Sequence, residues 1–179
     1  MLKADDTGLM VVDIQGRLAR MMQDSDAMIS NIVTLIESAK LLNLPILWME
    51  QIPEKLGETV PEIQSVLTQH QPISKFTFDG CGEPAVVKAI EDSGINQWLL
   101  CGIETHICVY QTALSLLGMG RKVEIVADCV SSRSAYNKQL ALQKMASLGA
   151  GISCLEMCLF ELMVDSRNPV FRDIQKLLK

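Results

Sequence analysis

The feature that most restricts the fold of this chain is a series of short, uninterrupted apolar runs with amphipathic stretches between them. Residues 8–14, with Asp13 near their end, and residues 98–101 are two of these runs. Neither alternates polar and apolar residues, as a strand with one face in water would. Strands of this kind are typical of parallel sheets that helices cover on both faces. The runs therefore predict an α/β fold.

Six predicted strands alternate with predicted helices along the chain. The strands cover residues 8–14, 46–49, 72–76, 98–101, 123–130 and 152–155. Helices are predicted over 83–92, 134–148, 158–163 and 171–178, around an apolar stripe at 29–39 and from Thr105 to about Gly118, with a loop and short helix within 51–70. This order predicts one domain over residues 1–179, a three-layer doubly wound parallel sheet. Ligands of such sheets bind outside the carboxyl ends of the strands.

Composition excludes several classes of partner. The net charge is −5 and no basic stripe is present, so no nucleic acid is expected. No apolar run approaches the roughly 20 residues that span a bilayer, and the first residues do not have the pattern of a signal peptide. Six cysteines lie in a large acidic chain, several within strand-like runs, which favours a reduced, cytoplasmic protein over a disulfide framework.

The stretch from Trp98 to Leu117 is the strongest candidate for a reactive site. A buried strand is followed by Gly102, Thr105 can cap a helix, and Cys108 falls in the first turn of that helix. Free backbone N–H groups there would stabilise a thiolate and lower the thiol pKa. Most cysteines beside apolar runs are packing residues, so position alone leaves both interpretations open.

Two charged residues at the ends of other strands strengthen the catalytic interpretation. Asp13 ends the first strand and Lys75 lies in the third, so both should face the crevice that contains Cys108. Lys75 would favour the thiolate and Asp13 would accept the thiol proton. His106 is the rival base, but side chains two residues apart on a helix do not face each other.

The segment 80–85 matches a dinucleotide-binding pattern, G-x-G-x-x-A. Glu83 would place a negative charge beside a pyrophosphate, and Pro84 lacks the N–H that the turn should donate. Nucleotide binding is therefore not expected. The two histidines stand apart and the cysteines lack paired spacing, so neither a metal site nor another cofactor is predicted.

These residues resemble the isochorismatase-like cysteine hydrolases. The resemblance rests on Asp13 after the first strand, Lys75, and the sequence GIETHICV that contains Cys108. It extends over nearly the whole chain, through TALSLLGMGRKVEIVADCVSSRS and LEMCLFEL to NPVFRDIQKLL. It implies an Asp13-Lys75-Cys108 triad with Cys108 as nucleophile. It also implies a cis peptide bond at Ile103-Glu104 and an oxyanion hole that includes the backbone N–H groups of Glu104 and Cys108.

The chain departs from two branches of that family. Nicotinamidases of the family bind a metal through Asp and His residues after the second strand, where this chain reads MEQIPEKLGETVPEI. True isochorismatases commonly lack the thiol that is present here. The resemblance therefore favours hydrolysis of a small amide or carbamoyl-like compound, with the substrate itself unidentified. The predicted pocket rim, from positions at strand ends, is Gln15, Gln51, Phe76, Thr105 and Ser132.

Besides a redox-sensing thiol at Cys108, two alternatives stay open at this stage. The first is vinyl ether hydrolysis of the isochorismatase type, with Asp13 as proton donor. The second is a non-catalytic oligomeric scaffold, which the apolar, methionine-containing segment 154–163 suggests. The catalytic interpretation predicts a small-molecule substrate, and the family resemblance together with the apolar composition predicts a homo-oligomer.

Overall fold

The computed structural model describes all 179 residues, and its centre is a six-stranded sheet in the order β3-β2-β1-β4-β5-β6. Every pairing between neighbouring strands is parallel. The predicted α/β fold with a parallel six-stranded sheet is thereby confirmed. The strands are β1 (Thr7–Val12), β2 (Ile46–Gln51), β3 (Ile73–Lys75), β4 (Gln97–Ile103), β5 (Lys122–Ser131) and β6 (Gly151–Ser153).

Nine α-helices connect and cover the strands. They are α1 (Gly16–Arg20), α2 (Ser25–Leu41), α3 (Pro53–Leu56), α4 (Pro61–Gln64), α5 (Pro84–Ser93), α6 (Tyr110–Gly118), α7 (Ala135–Ser147), α8 (Leu155–Met163) and α9 (Phe171–Leu177). The sequence did not predict α1, and the segment 51–70 holds two short helices where one was expected. Each of these three helices has only four or five residues, too few for a helical apolar period to be read.

The sheet divides the core into two apolar layers. Side chains of β1 alternate between them, so Leu9 and Val11 pack under α2 and α8, while Met10 and Val12 pack under α5, α6 and α7. Cys108 belongs to the second layer. Both faces of the central strands are therefore dry, which explains their uninterrupted apolar runs.

The carboxyl ends of β1 and β4 form the point where the strand order reverses. From β1 the chain builds outward through β2 and β3 on one side and through β4, β5 and β6 on the other. Val12, the last residue of β1, pairs with Gly102 of β4. Connections leave this point in opposite directions and open a crevice there, the usual place for a ligand.

Gly102 lets the two strands approach each other at the crevice. Its φ is +121°, and a Cβ atom on it would collide with the carbonyl oxygen of Val12. Only glycine combines this backbone conformation with the absence of a side chain. The register between β4 and β5 also shifts between Leu100 and Gly102, so the strand is irregular where it meets the site.

Gly102→Ala is therefore expected to destabilise the fold by about 3 kcal/mol, through the clash and the positive φ together. Urea unfolding monitored by circular dichroism measures this free energy. Gly94→Ala is the matched control, because Gly94 also has a positive φ (+67°) but no atom lies within 4 Å of its Cβ position. Equal losses for the two variants would show that the close approach to Val12 contributes nothing.

Three further observations concern the last helices, the cysteines and membrane crossing. In α8, Leu155, Cys158, Leu159, Leu162 and Met163 are buried, whereas Met157 and Phe160 are 61% and 42% exposed. All six cysteines are free thiols. No helix combines the length and the apolar character that crossing a membrane requires.

Candidate active site

A buried ion pair joins the ends of β1 and β3. Asp13 directly follows β1 and Lys75 is the last residue of β3, with Lys75 Nζ 2.6 Å from Asp13 Oδ2. The exposed fractions of the two side chains are 4% and 0%. Asp13 also has a positive φ of +54°, which is uncommon for a residue with a side chain and recurs at functional sites. The sheet thus brings together two charges that are 62 residues apart in the chain.

The ammonium group of Lys75 is fully occupied by protein acceptors. Besides Asp13, it donates to Gln51 Oε1 at 2.7 Å and approaches the carbonyl oxygens of Thr77 and Phe78 at 3.1 and 3.3 Å. An ammonium has three hydrogens to share among these four acceptors. Lys75 is therefore fixed toward Asp13 without needing water.

The third predicted residue, Cys108, lies in a π-helical turn (Thr105–Val109) that joins β4 to α6. The N–H groups of Ile107 and Val109 both donate to the carbonyl oxygen of Glu104, which shapes this turn. Single π turns of this kind often occur at functional sites. Cys108 is 7% exposed and is close enough to Asp13 for each side chain to influence the pKa of the other. No hydrogen bond joins the two side chains, and Asp13 Oδ1 is buried without a hydrogen-bond partner.

The pKa of Cys108 differs from the value that the sequence predicted. Burial, followed by the negative charge of Asp13, raises the thiol pKa to about 12, while Lys75 acts in the opposite direction and does not prevail. The expected lowering is therefore wrong, because burial and the Asp13 carboxylate together outweigh Lys75. Burial also raises the pKa of Asp13, against the lowering effect of Lys75. At neutral pH Cys108 is a protonated thiol beside a carboxyl group that can exchange a proton with it.

The corner before Cys108, formed by Ile103 and Glu104, is hydrogen-bonded to the loop after β5. The peptide bond between Ile103 and Glu104 is cis. The Glu104 carboxylate, 5% exposed, accepts from the backbone N–H of Arg133 at 3.0 Å and from its Nε at 3.2 Å. These bonds fix the segment 131–134 against the π-helical turn that contains Cys108. Sequence reasoning placed that segment at the site but missed the Glu104–Arg133 pair, which no spacing rule connects.

Of the five predicted rim residues, only Phe76 has an exposed side chain, at 73%. Gln15, Thr105 and Ser132 are fully buried, so they support the site from within and cannot rim a pocket open to solvent. Gln15 donates to the carbonyl oxygens of Gln51 and Gly57 at 3.1 and 2.7 Å, which holds the loop after β2. The prediction of a solvent-exposed rim is therefore wrong for Gln15, Gln51, Thr105 and Ser132, because these side chains point into the protein interior.

Thr105 does not cap the helix, in contrast to the prediction. Glu104 occupies the cap position, and the buried Thr105 Oγ1 has no hydrogen-bond partner. His106 Nδ1 lies 2.9 Å from Ser132 Oγ and Nε2 lies 3.4 Å from Asn137 Nδ2. The histidine is therefore engaged with α7 and its preceding loop, as expected for a residue that is not the base for Cys108.

The segment that mimics a dinucleotide motif has a structural role here. Asp79 accepts from Ser115 Oγ at 2.6 Å, and the N–H of Gly80 donates to Thr112 Oγ1 at 2.8 Å. Both partners belong to α6. Residues 76–82, which include the carbonyl acceptors of Lys75, are thus anchored on the helix that follows Cys108.

The residues after β2 do not fit the metal site of the nicotinamidase branch. Glu50, 4% exposed, accepts from both the N–H and the hydroxyl of Thr59 at 2.7 Å. No group of three or more potential metal ligands comes together. The main surface clefts do not include Cys108, and one of about 400 Å³ lies at the opposite end of the sheet, beside Gln97 and Lys122.

Comparison with known proteins agrees with this arrangement. The family model described as Isochorismatase domain matches residues 7–157. The chain belongs to the isochorismatase family. A curated relative, the mouse isochorismatase domain-containing protein 2A, is 37% identical over 174 residues, which are 96% of this chain and 82% of the mouse protein.

Solved structures of this fold superimpose closely. The MAR1 ribonuclease from Caenorhabditis elegans has a TM-score of 0.93 and 32% identity, covering 99% of this chain and 91% of its own. YcaC from Pseudomonas aeruginosa, solved with hexane-2,5-diol and covalent acrylamide, has a TM-score of 0.93 and 25% identity, with coverages of 99% and 89%. YcaC from Escherichia coli, described as an octameric hydrolase of unknown specificity, gives 0.90 and 24%, with 99% and 94%.

Proposed function

We propose that this member of the isochorismatase family is a cysteine hydrolase that cleaves the C–N bond of a small amide or carbamoyl-like compound. One observation carries the proposal: the buried Asp13–Lys75 pair lies beside the Cys108 thiol at the carboxyl ends of the strands. Family membership supports a hydrolase. The covalent acrylamide in Pseudomonas YcaC further supports a reactive site in a related protein.

In the first half of the reaction, Asp13 accepts the proton of the Cys108 thiol as sulfur attacks the carbonyl carbon. The raised thiol pKa requires this transfer to accompany the attack, because little thiolate exists at rest. Backbone N–H groups of the corner, including those of Glu104 and Cys108, are the proposed donors to the oxyanion, each worth roughly 3 to 4 kcal/mol. The C–N bond then breaks, and Asp13 returns the proton to the departing amine.

In the second half, water releases the acyl group. Asp13 accepts a proton from water as the oxygen attacks the thioester carbon. The C–S bond breaks, the thiol regains its proton from Asp13, and a carboxylic acid leaves. Lys75 keeps Asp13 in place throughout through their 2.6 Å contact. Because one carboxyl group serves both halves, the cycle ends with every group in its starting protonation state.

Incubation with a library of small amides, followed by intact-protein mass spectrometry after acid quench, tests the proposal. We expect an acyl adduct on Cys108 for any amide that is turned over, and neither adduct nor turnover in Cys108→Ala. Retention of full turnover by Cys108→Ala, with loss in Asp13→Asn, would instead identify the proton-transfer chemistry of isochorismatase-type vinyl ether hydrolysis. That alternative has one favourable observation, since burial raises the pKa of Asp13 and so favours a proton donor.

We also propose that the chain forms a homo-oligomer. The side chains of Met157 and Phe160 are exposed on the outer face of α8, and apolar surface of this kind is suited to contact with a second copy. The octameric state of Escherichia coli YcaC, which has the same fold, agrees with this proposal. If no thiol reagent modified Cys108 near neutral pH, a purely structural role for the oligomer would be favoured over catalysis.

A further inference from the structure

The charges around Cys108 suggest which amides the site accepts. Resting on the function proposed above, we infer that the site selects uncharged substrates and rejects those that carry a carboxylate or phosphate. Two cations and three buried carboxylates lie near the thiol: Lys75 is paired with Asp13, Arg133 is paired with Glu104, and Glu50 is bound to Thr59.

Lys75 cannot neutralise an anionic substrate. Its side chain has no exposed surface, and its three N–H bonds face Asp13, Gln51 and two backbone carbonyl oxygens. Binding a substrate anion would require Lys75 to leave Asp13, which would strand a buried charge. Such a separation is costly when both partners are inaccessible to water.

Arg133, the other cation near the corner, is also paired. Its backbone N–H and its guanidinium both bind the Glu104 carboxylate, with Nη2 3.2 Å from Oε1. The remaining guanidinium surface is 55% exposed and is therefore screened by solvent. Its charge is cancelled by Glu104 before any ligand arrives.

The carboxylates outnumber these cations. Asp13, Glu50 and Glu104 are 4%, 4% and 5% exposed, so water screens them weakly. Glu50 acts on Asp13 and Glu104 acts on Cys108 in the same sense, each raising the pKa of its neighbour. Three negative and two positive charges leave the surroundings of the thiol with one excess negative charge.

His106 does not supply the missing positive charge. Its ring nitrogens lie against Ser132 and Asn137, and it lines a separate cleft together with Lys144. In that cleft Lys144 lies over the ring of Tyr110, 5.2 Å from its centre. The Lys144 ammonium therefore lies in that cleft and not beside the Cys108 thiol.

A neutral amide avoids this repulsion, because its only developing charge is the oxyanion, which backbone N–H groups can hold. A substrate with a carboxylate, such as a dicarboxylic vinyl ether, brings a fixed charge to an acidic, weakly screened site. RNA is a polyanion and meets the same obstacle. The inference thus separates neutral amides from both other classes.

Alkylation by iodoacetamide and iodoacetate tests the inference, because the two reagents have nearly the same size and differ in charge. At Cys108 we expect iodoacetamide to react faster than iodoacetate, with the rates measured by peptide mass spectrometry. The rate with iodoacetamide divided by the rate with iodoacetate should exceed the same ratio for glutathione by at least about tenfold. Glu50→Gln keeps an acceptor for Thr59 while removing one charge. It is expected to reduce this preference by about threefold.

The outcomes separate the two claims. A ratio equal to that of glutathione would contradict the charge selection, while the proposed role of Cys108 as nucleophile would still stand. Failure of both reagents at Cys108 in the folded protein would contradict the proposed function, and the selection would fall with it. In turnover, butyramide and succinamate form the matching pair: hydrolysis of butyramide alone is expected, whereas equal hydrolysis of both would reject charge selection while supporting the amidohydrolase.

Discussion

Asp13→Asn is expected to reduce turnover by at least about 10³-fold while making Cys108 more reactive toward iodoacetamide. Turnover is lost because an amide cannot accept the thiol proton. Reactivity rises because the negative charge of Asp13 raises the thiol pKa, whereas Lys75 lowers it and remains in the variant. A lower pKa increases the thiolate fraction at any pH below it, and thiolate is the species that is alkylated. Unfolding would also abolish turnover and expose the buried Cys108, so the circular dichroism spectrum of the variant must match that of the unmodified protein.

The pH dependence of alkylation provides the measurement. In the unmodified protein the rate at Cys108 should keep rising through pH 10, because the thiol pKa is about 12. In Asp13→Asn the same rise should occur at lower pH. Cys108→Ser supplies the background from the other five cysteines. A profile that stays in place or moves to higher pH would show that Asp13 does not control the thiol.

Lys75→Met is expected to destabilise the fold by about 3 to 5 kcal/mol at pH 7, because it leaves the buried Asp13 carboxylate without its partner. Lys88→Met is the control, since the Lys88–Asp92 pair is 74% and 64% exposed and should contribute little to stability. Urea unfolding measures both free energies. Similar losses for the two variants would mean that the buried pair contributes no more to the free energy of unfolding than an exposed pair.

The loss in Lys75→Met should also depend on pH. Burial raises the pKa of Asp13 and removal of Lys75 withdraws the main opposing effect, so the folded pKa lies above the unfolded value. Stability of the variant is then highest below the unfolded pKa and falls as pH rises through the folded one. The stability difference between Lys75→Met and the unmodified protein should therefore become smaller in acid. The double variant Lys75→Met/Asp13→Asn should be more stable at pH 7 than Lys75→Met alone.

The sequence predicted most of the fold because buried parallel strands leave an unmistakable apolar pattern. It also placed Asp13, Lys75 and Cys108 at one edge, since the carboxyl ends of parallel strands meet there. The thiol pKa was mispredicted because burial, its largest influence, and the Asp13 carboxylate together outweigh Lys75, and neither burial depth nor distance can be read from the sequence. Glu104–Arg133 and the burial of Ser132 likewise depend on the path of a loop, for which spacing along the chain carries no signal.

The anchoring of residues 76–82 on α6 has a consequence for the order in which the site forms. β3 has only three residues and lies at the edge of the sheet, so its own ladder holds it weakly. The bonds from Asp79 to Ser115 and from Gly80 to Thr112 add the missing attachment. We therefore expect Lys75 to hold its contact with Asp13 only while this segment is docked on α6, the helix that follows Cys108. Local opening of the segment, as seen by hydrogen exchange, would dismantle the ion pair while leaving the central strands folded.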